Sequence, residues 1–83
     1  MPNDVATIKP GNNFLISNNT GIYFVYYELN GKYLIDILAH DTDGVRMISA
    51  SSSNIGYWSL ENNLYVTNNT NYDIISFCAF RII

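Results

Sequence analysis

The chain has 83 residues, of which only 13% are charged, and it carries a net charge of −3 with a pI near 4.6. Its four basic residues, Lys9, Lys32, Arg46 and Arg81, are scattered, which excludes the clustered cationic surface that nucleic-acid binding requires. No apolar run approaches the ~20 residues of a membrane span, and the single cysteine, Cys78, excludes an intrachain disulfide.

A chain of this size forms one domain, 1–83, and buries only roughly 60% of its unfolded surface. An ordinary soluble domain is about 25% charged; here 12 asparagines and 7 tyrosines take up the polar role. A surface of amides and hydroxyls suits contact with sugars or with copies of the same chain, although an AT-rich codon bias produces the same composition.

The first eleven residues, "MPNDVATIKPG", lack the basic and apolar regions of a signal peptide. The expectation is therefore a cytoplasmic protein, or one released by a non-classical route. From there short runs of Ile, Val, Tyr and Phe alternate with Asn, Gly, Asp and Ser clusters, the pattern of strands and turns. No stretch carries a helical period uninterrupted by a turn signal. Strands are expected near 5–8, 14–17, 22–29, 33–39, 45–50, 56–60, 64–67 and 74–82. About eight short strands imply an all-β, antiparallel β-sandwich with jelly-roll or Greek-key-like connections.

The third and fourth strands meet at Asn30-Gly31, a pair suited to a two-residue type I′ turn. That turn pairs Leu29 with Lys32, Tyr27 with Leu34, Val25 with Asp36 and Tyr23 with Leu38, all on one face. The other face holds Ile22, Phe24 and Tyr26 beside Ala39, Ile37 and Ile35. Because this second set is nearly all apolar, it is expected to face the core. The first set is then outward, and Tyr23, Val25, Tyr27, Leu29, Leu34 and Leu38 form an expected self-association face. A two-layer sandwich buries one face of each sheet, so a hairpin apolar on both faces calls for a further cover.

The loop "HDTDG" (40–44) contains the only histidine, His40, beside Asp41 and Asp43. Two carboxylates before a glycine make a weak metal candidate, but the later ligands of a calcium loop are missing; a solvated turn whose Asp residues make local backbone hydrogen bonds is the preferred reading. No other metal site and no cofactor is expected. "SASSSN" (49–54) offers serines without a general base, and no enzyme is expected.

"GYWSLENN" (56–63) is the best small-ligand candidate. Tyr57 and Trp58 adjoin Glu61, Asn62 and Asn63, an aromatic platform with amide and carboxylate partners. Adjacent strand residues point to opposite faces, and Trp58 is expected inside with Tyr57 outside.

"FLISNNTGIYFVYY" (14–27) and "LYVTNNTNYDIISF" (64–77) echo each other at an offset of fifty residues. The shared Asn-Asn-Thr is read as one turn chemistry used twice at one end of the sandwich. Asn18 and Asn68 each open an Asn-x-Thr sequon. In the last strand, strict alternation puts Ile74, Ser76, Cys78, Phe80 and Ile82 on one side, and Ile75, Phe77, Ala79, Arg81 and Ile83 on the other. Cys78, within "SFCAF", reads as a small buried hydrophobe. With almost no charge, the strands near 64–67 and 74–82 look like unprotected edges.

The leading functional expectation is a non-enzymatic structural protein that homo-oligomerises through the hairpin face and the C-terminal strand. A small multimeric lectin-like module is the alternative, and a small inhibitor or immunity-type protein with one protein partner is a third.

Overall fold

The computed structural model describes residues 6–83. Eight strands follow in chain order: β1 (Ala6–Ile8), β2 (Asn13–Ser17), β3 (Gly21–Leu29), β4 (Lys32–Asp41), β5 (Gly44–Ser49), β6 (Ile55–Leu60), β7 (Asn63–Asn68) and β8 (Ile74–Arg81). Val5, the expected start of the first strand, lies outside the described residues. The strands form a five-stranded sheet in the order β1-β8-β3-β4-β5 and a three-stranded sheet in the order β2-β7-β6, with all pairs antiparallel. The protein is an all-β sandwich. Among the described residues no helix is long and apolar enough to cross a membrane.

Local chemistry explains the hairpins. Asn30 and Gly31 both take positive φ, 51° and 78°, as a type I′ turn demands, and the register of β3 on β4 pairs Leu29 with Lys32 through Tyr23 with Leu38. Glu61 and Asn62 do the same between β6 and β7, with φ of 53° and 66°. At Gly21 the reason for glycine is proximity. A Cβ there would come within 2.5 Å of the Ile83 carbonyl oxygen, which accepts a hydrogen bond from the Ile22 amide at 2.8 Å.

The core lies between the sheets. Val25, Leu38, Leu64, Val66 and Ile74 are fully enclosed. Tyr27 stacks on Phe77 with ring centroids 6.0 Å apart, and Phe14 meets Phe77 edge-on at 5.7 Å.

This arrangement inverts the expected sidedness of the hairpin. Tyr23, Val25, Tyr27 and Leu38 are buried, and Leu29 and Leu34 pack half-buried against them. They are the core face and cannot meet another copy of the chain. Ile22, Phe24, Tyr26, Ile35, Ile37 and Ala39 lie on the outside, with Tyr26 40% and Ile35 48% exposed. The face that is buried contains Asp36 and His40, each only 1% exposed. Both find hydrogen-bond partners in the interior, which removes the penalty for burying them.

Strict alternation also fails in β8. Ser76 has φ of 56°, and the register of β8 on β3 shifts between Tyr26 and Glu28. One extra residue in a strand is a β-bulge, and it exchanges the two faces beyond it. Ile74, Phe77 and Ala79 therefore all enter the core. On the outer face Phe80 pairs with Phe24 and Cys78 with Tyr26. Cys78 is nonetheless buried.

Two further expectations are corrected. β8 lies between β1 and β3, and β7 lies between β2 and β6, so neither is an edge; the edges are β1, β5, β2 and β6. The two Asn-Asn-Thr turns also sit at opposite ends. β2 runs antiparallel to β7, so the turn after Ser17 lies near the start of β7. The turn at Asn68 lies beside Asn12, whose carbonyl accepts from the Asn68 amide.

The left-handed backbone at Ser76 carries a testable strain. A non-glycine residue in this region costs on the order of 1 kcal/mol, and the Ser76 side chain is exposed. Ser76→Gly is expected to raise the unfolding free energy by about 0.5–1 kcal/mol in denaturant titration. A loss of stability on that substitution contradicts the bulge.

Candidate functional site

Among the described residues the interior contains one enclosed carboxylate. Asp36, on β4, accepts hydrogen bonds from the Tyr27 hydroxyl at 2.9 Å, the Tyr57 hydroxyl at 2.6 Å and the Ser51 amide at 2.7 Å. These donors come from β3, from β6 in the opposite sheet and from the β5–β6 loop. Burial, with the neighbouring Asp36 carboxylate as the next cause, pushes the pKa of the Tyr27 and Tyr57 hydroxyls well above the ordinary tyrosine value. Ionising either would bring a second anion beside Asp36 in a poorly solvated place. With three donors around it the carboxylate is enclosed rather than open to a substrate, and its chemistry is that of a strut.

His40 forms a second polar tie. Its Nδ1 lies 3.0 Å from the Asn19 carbonyl oxygen and its Nε2 3.0 Å from Ser59 Oγ. A carbonyl only accepts, so Nδ1 carries the proton in that bond. The Tyr23 hydroxyl lies 2.7 Å from both Ser17 Oγ and the same Asn19 carbonyl.

Tyr57 and Trp58 are placed the other way round from expectation. Tyr57 shares the inward face of β6 with Ile55 and Ser59. Trp58 stands on the outer face of the small sheet, stacked on Tyr65 with centroids 4.4 Å apart. Its Nε1 donates to Thr67 Oγ1 at 2.8 Å, and Thr67 Oγ1 donates to Asn13 Oδ1 at 2.6 Å. Glu61 and Asn62 form the β6–β7 turn and Asn63 opens β7. The expected ligand set is therefore divided between two faces, because Ile55 fixes the parity of β6.

A cavity of about 450 Å³ opens at one end of the sandwich. The β3–β4 turn supplies Asn30 and Lys32, the β5–β6 loop supplies Ser51, Ser52 and Asn54, and the β7–β8 loop supplies Asn69, Thr70, Asn71 and Tyr72, over a floor of Leu29 and Leu34. Both loops are anchored from inside. Asp36 holds the Ser51 amide, and Ser51 Oγ donates to the Ile35 carbonyl. Asn68, fully buried, donates through Nδ2 to the carbonyls of Ile8 and Tyr72 and accepts from the Thr70 amide and hydroxyl. The Asn69 amide donates to the Asn54 carbonyl at 3.0 Å and links the two loops. Every part of the Asn68 amide is thus engaged, so of the two sequons only Asn18 is exposed.

The expected metal candidate is otherwise engaged. Asp41 accepts from the Asp43 amide at 3.0 Å and pairs with Arg46. The backbone bond first, and Arg46 second, hold its carboxyl below the usual range. Among the described residues no cluster of three His, Cys, Asp or Glu side chains is disposed to hold a metal.

The outer face of the five-stranded sheet is the other feature that strict reading of the sequence missed. Phe24, Tyr26 and Phe80 form an aromatic cluster there, with centroid separations of 5.9 to 6.5 Å. The turn register was correct; no local signal identified this face, because Asp36 and His40 on the other one mark that face as exposed by ordinary patterning, and the partners that let them be buried lie 15 to 21 residues away.

Compared with family models, curated proteins and solved structures, the chain matches none.

The Asp36 strut has a pH signature. In the unfolded chain Tyr27 and Tyr57 ionise near pH 10; in the folded chain they hold their protons to higher pH. Their contribution to stability is complete below about pH 10 and is lost as pH rises above it, because the unfolded state then binds fewer protons. Urea midpoints are expected to fall steeply above that pH. Tyr57→Phe should lower stability by about 1–3 kcal/mol at neutral pH by removing one donor from a buried acceptor, and should weaken the alkaline loss. An unchanged alkaline slope in that variant argues against the assignment.

Proposed function

We propose that this chain is a non-enzymatic structural protein that assembles with further copies of itself through the outer face of its five-stranded sheet. The observation that carries the reading is the apolar, almost uncharged character of that face. Phe24, Tyr26 and Phe80 cluster at its centre, flanked by Ile35 and Ile37 on β4 and by Ile75, 43% exposed, on β8. Glu28 on β3, Asp41 on β4 and Arg46 on β5 are its charges, and the last two are paired with each other. Exposed apolar patches of more than a few hundred Å² mark interaction sites.

A second copy is the occupant that the dimensions and chemistry favour. Five strands about 4.8 Å apart, with central strands of nine and ten residues, give a face on the order of 600 Å². Two such faces remove roughly 1,200 Å² of surface, where specific stable interfaces begin. A face with so little charge has nothing to match against a strongly charged partner. Its own copy, related by a two-fold axis, offers aromatic and aliphatic groups of the same kind.

Light scattering behind a sizing column, across a wide concentration range, tests this. The wild type is expected to exceed the 9.4 kDa of one chain. Phe80→Glu and Ile37→Lys are each expected to return that mass with the melting temperature little changed, because both side chains point away from the core. A wild type of one-chain mass at every concentration overturns the reading, as does assembly unaffected by both substitutions.

A further inference from the structure

The end cavity lies between the sheets, apart from the outer face, and its lining has a chemistry of its own. We propose that it is a binding site for a neutral saccharide of one or two sugar units. A volume of about 450 Å³ falls in the lower part of the ~300–1,000 Å³ range of small-molecule sites. The lining is dominated by amides and hydroxyls and contains one charged side chain, Lys32, with no carboxylate.

Asparagine is the residue type to recognise vicinal hydroxyls, since its amide donates from nitrogen and accepts at oxygen. Among the described residues the side-chain amides of Asn30, Asn54, Asn69 and Asn71 are not used in the internal hydrogen bonds that hold the loops. Those bonds run instead through backbone groups, Ser51, Asn68 and Thr70. The cavity therefore keeps four amides for a ligand while its walls are fixed by other groups. Tyr72, 52% exposed at the rim, and the floor residues Leu29 and Leu34 supply the apolar surface that the C–H face of a pyranose requires. Loops fixed in advance reduce the ordering cost of binding.

Two observations favour this location over Trp58 and Tyr65. That pair is stacked ring on ring at 4.4 Å, so each covers a face of the other, and it lies on a sheet surface rather than in a concavity.

The test is a titration of ¹⁵N-labelled protein with maltose, cellobiose, lactose, chitobiose and mannobiose at millimolar concentrations, run in parallel on the Phe80→Glu variant so that assembly and sugar binding are read separately. At least one disaccharide is expected to shift the side-chain amide signals of Asn54, Asn69 and Asn71. Tyr72→Ala and Asn71→Ala, both exposed positions outside the core, are each expected to weaken that binding about tenfold, as loss of one contact of about 1.4 kcal/mol implies. Trp58→Ala is expected to leave it unchanged. No shift with any of the five sugars overturns the proposal, and so does binding that Trp58→Ala abolishes while Tyr72→Ala and Asn71→Ala do not.

Discussion

Much of this structure depends on the burial of one carboxylate. Asp36 lies between the sheets, and an ion in that position is tolerated only when donors surround it. Tyr27 supplies one from the neighbouring strand, Tyr57 one from the opposite sheet, and Ser51 a backbone amide from the loop that joins them. The three bonds fix the approach of the sheets at that point. Asp36 shares the inward face of the β3–β4 hairpin with Tyr23, Val25, Tyr27 and Leu38, and the three bonds make its burial there tolerable. His40 repeats the device further along β4 with Ser59 and the Asn19 carbonyl.

The apolar outer face follows from that choice. With the polar-bearing face committed to the core, Phe24, Tyr26, Ile35 and Ile37 are left outside. The bulge at Ser76 adds Phe80 to them while keeping Phe77 and Ala79 in the interior. A strand without the bulge, with Ile74 still inside, would have sent Phe80 to the core and Phe77 and Ala79 to the outer face. The thin core of a small domain and an apolar outer surface thus occur together, and the proposed self-assembly is the reading that uses both.

Asparagine serves two separate purposes at the end of the sandwich. Asn68 is structural, with its amide wholly consumed in bracing the β7–β8 loop. The side-chain amides of its neighbours Asn69 and Asn71, and of Asn30 and Asn54 across the cavity, take no part in that bracing. Composition treats these residues alike, and burial separates them. The two Asn-Asn-Thr turns are likewise distinguished by position: β2 pairs with β7 and β3 with β8, all antiparallel, which is the relation a two-fold axis between the two segments would produce.

Strand order along the chain, turn positions and hairpin register were legible in the sequence because they depend on neighbours. Asn30-Gly31 dictates its own turn, and period two dictates which residues share a face. The all-β class follows from the same local signals. Which face is buried was not legible, because both faces of the hairpin are apolar and the difference between them lies in remote partners. Asp36 meets Ser51 and Tyr57 across 15 and 21 residues, and His40 meets Ser59 and Asn19 across 19 and 21. The bulge at Ser76 escaped because a serine carries no mark of positive φ and the register shift exists only against the adjacent strand, between Tyr26 and Glu28. Sequence by itself therefore determined the strands and their pairing in the hairpins. Only tertiary structure decided inside from outside, because the groups that satisfy Asp36 and His40 in the interior are brought to them from distant parts of the chain.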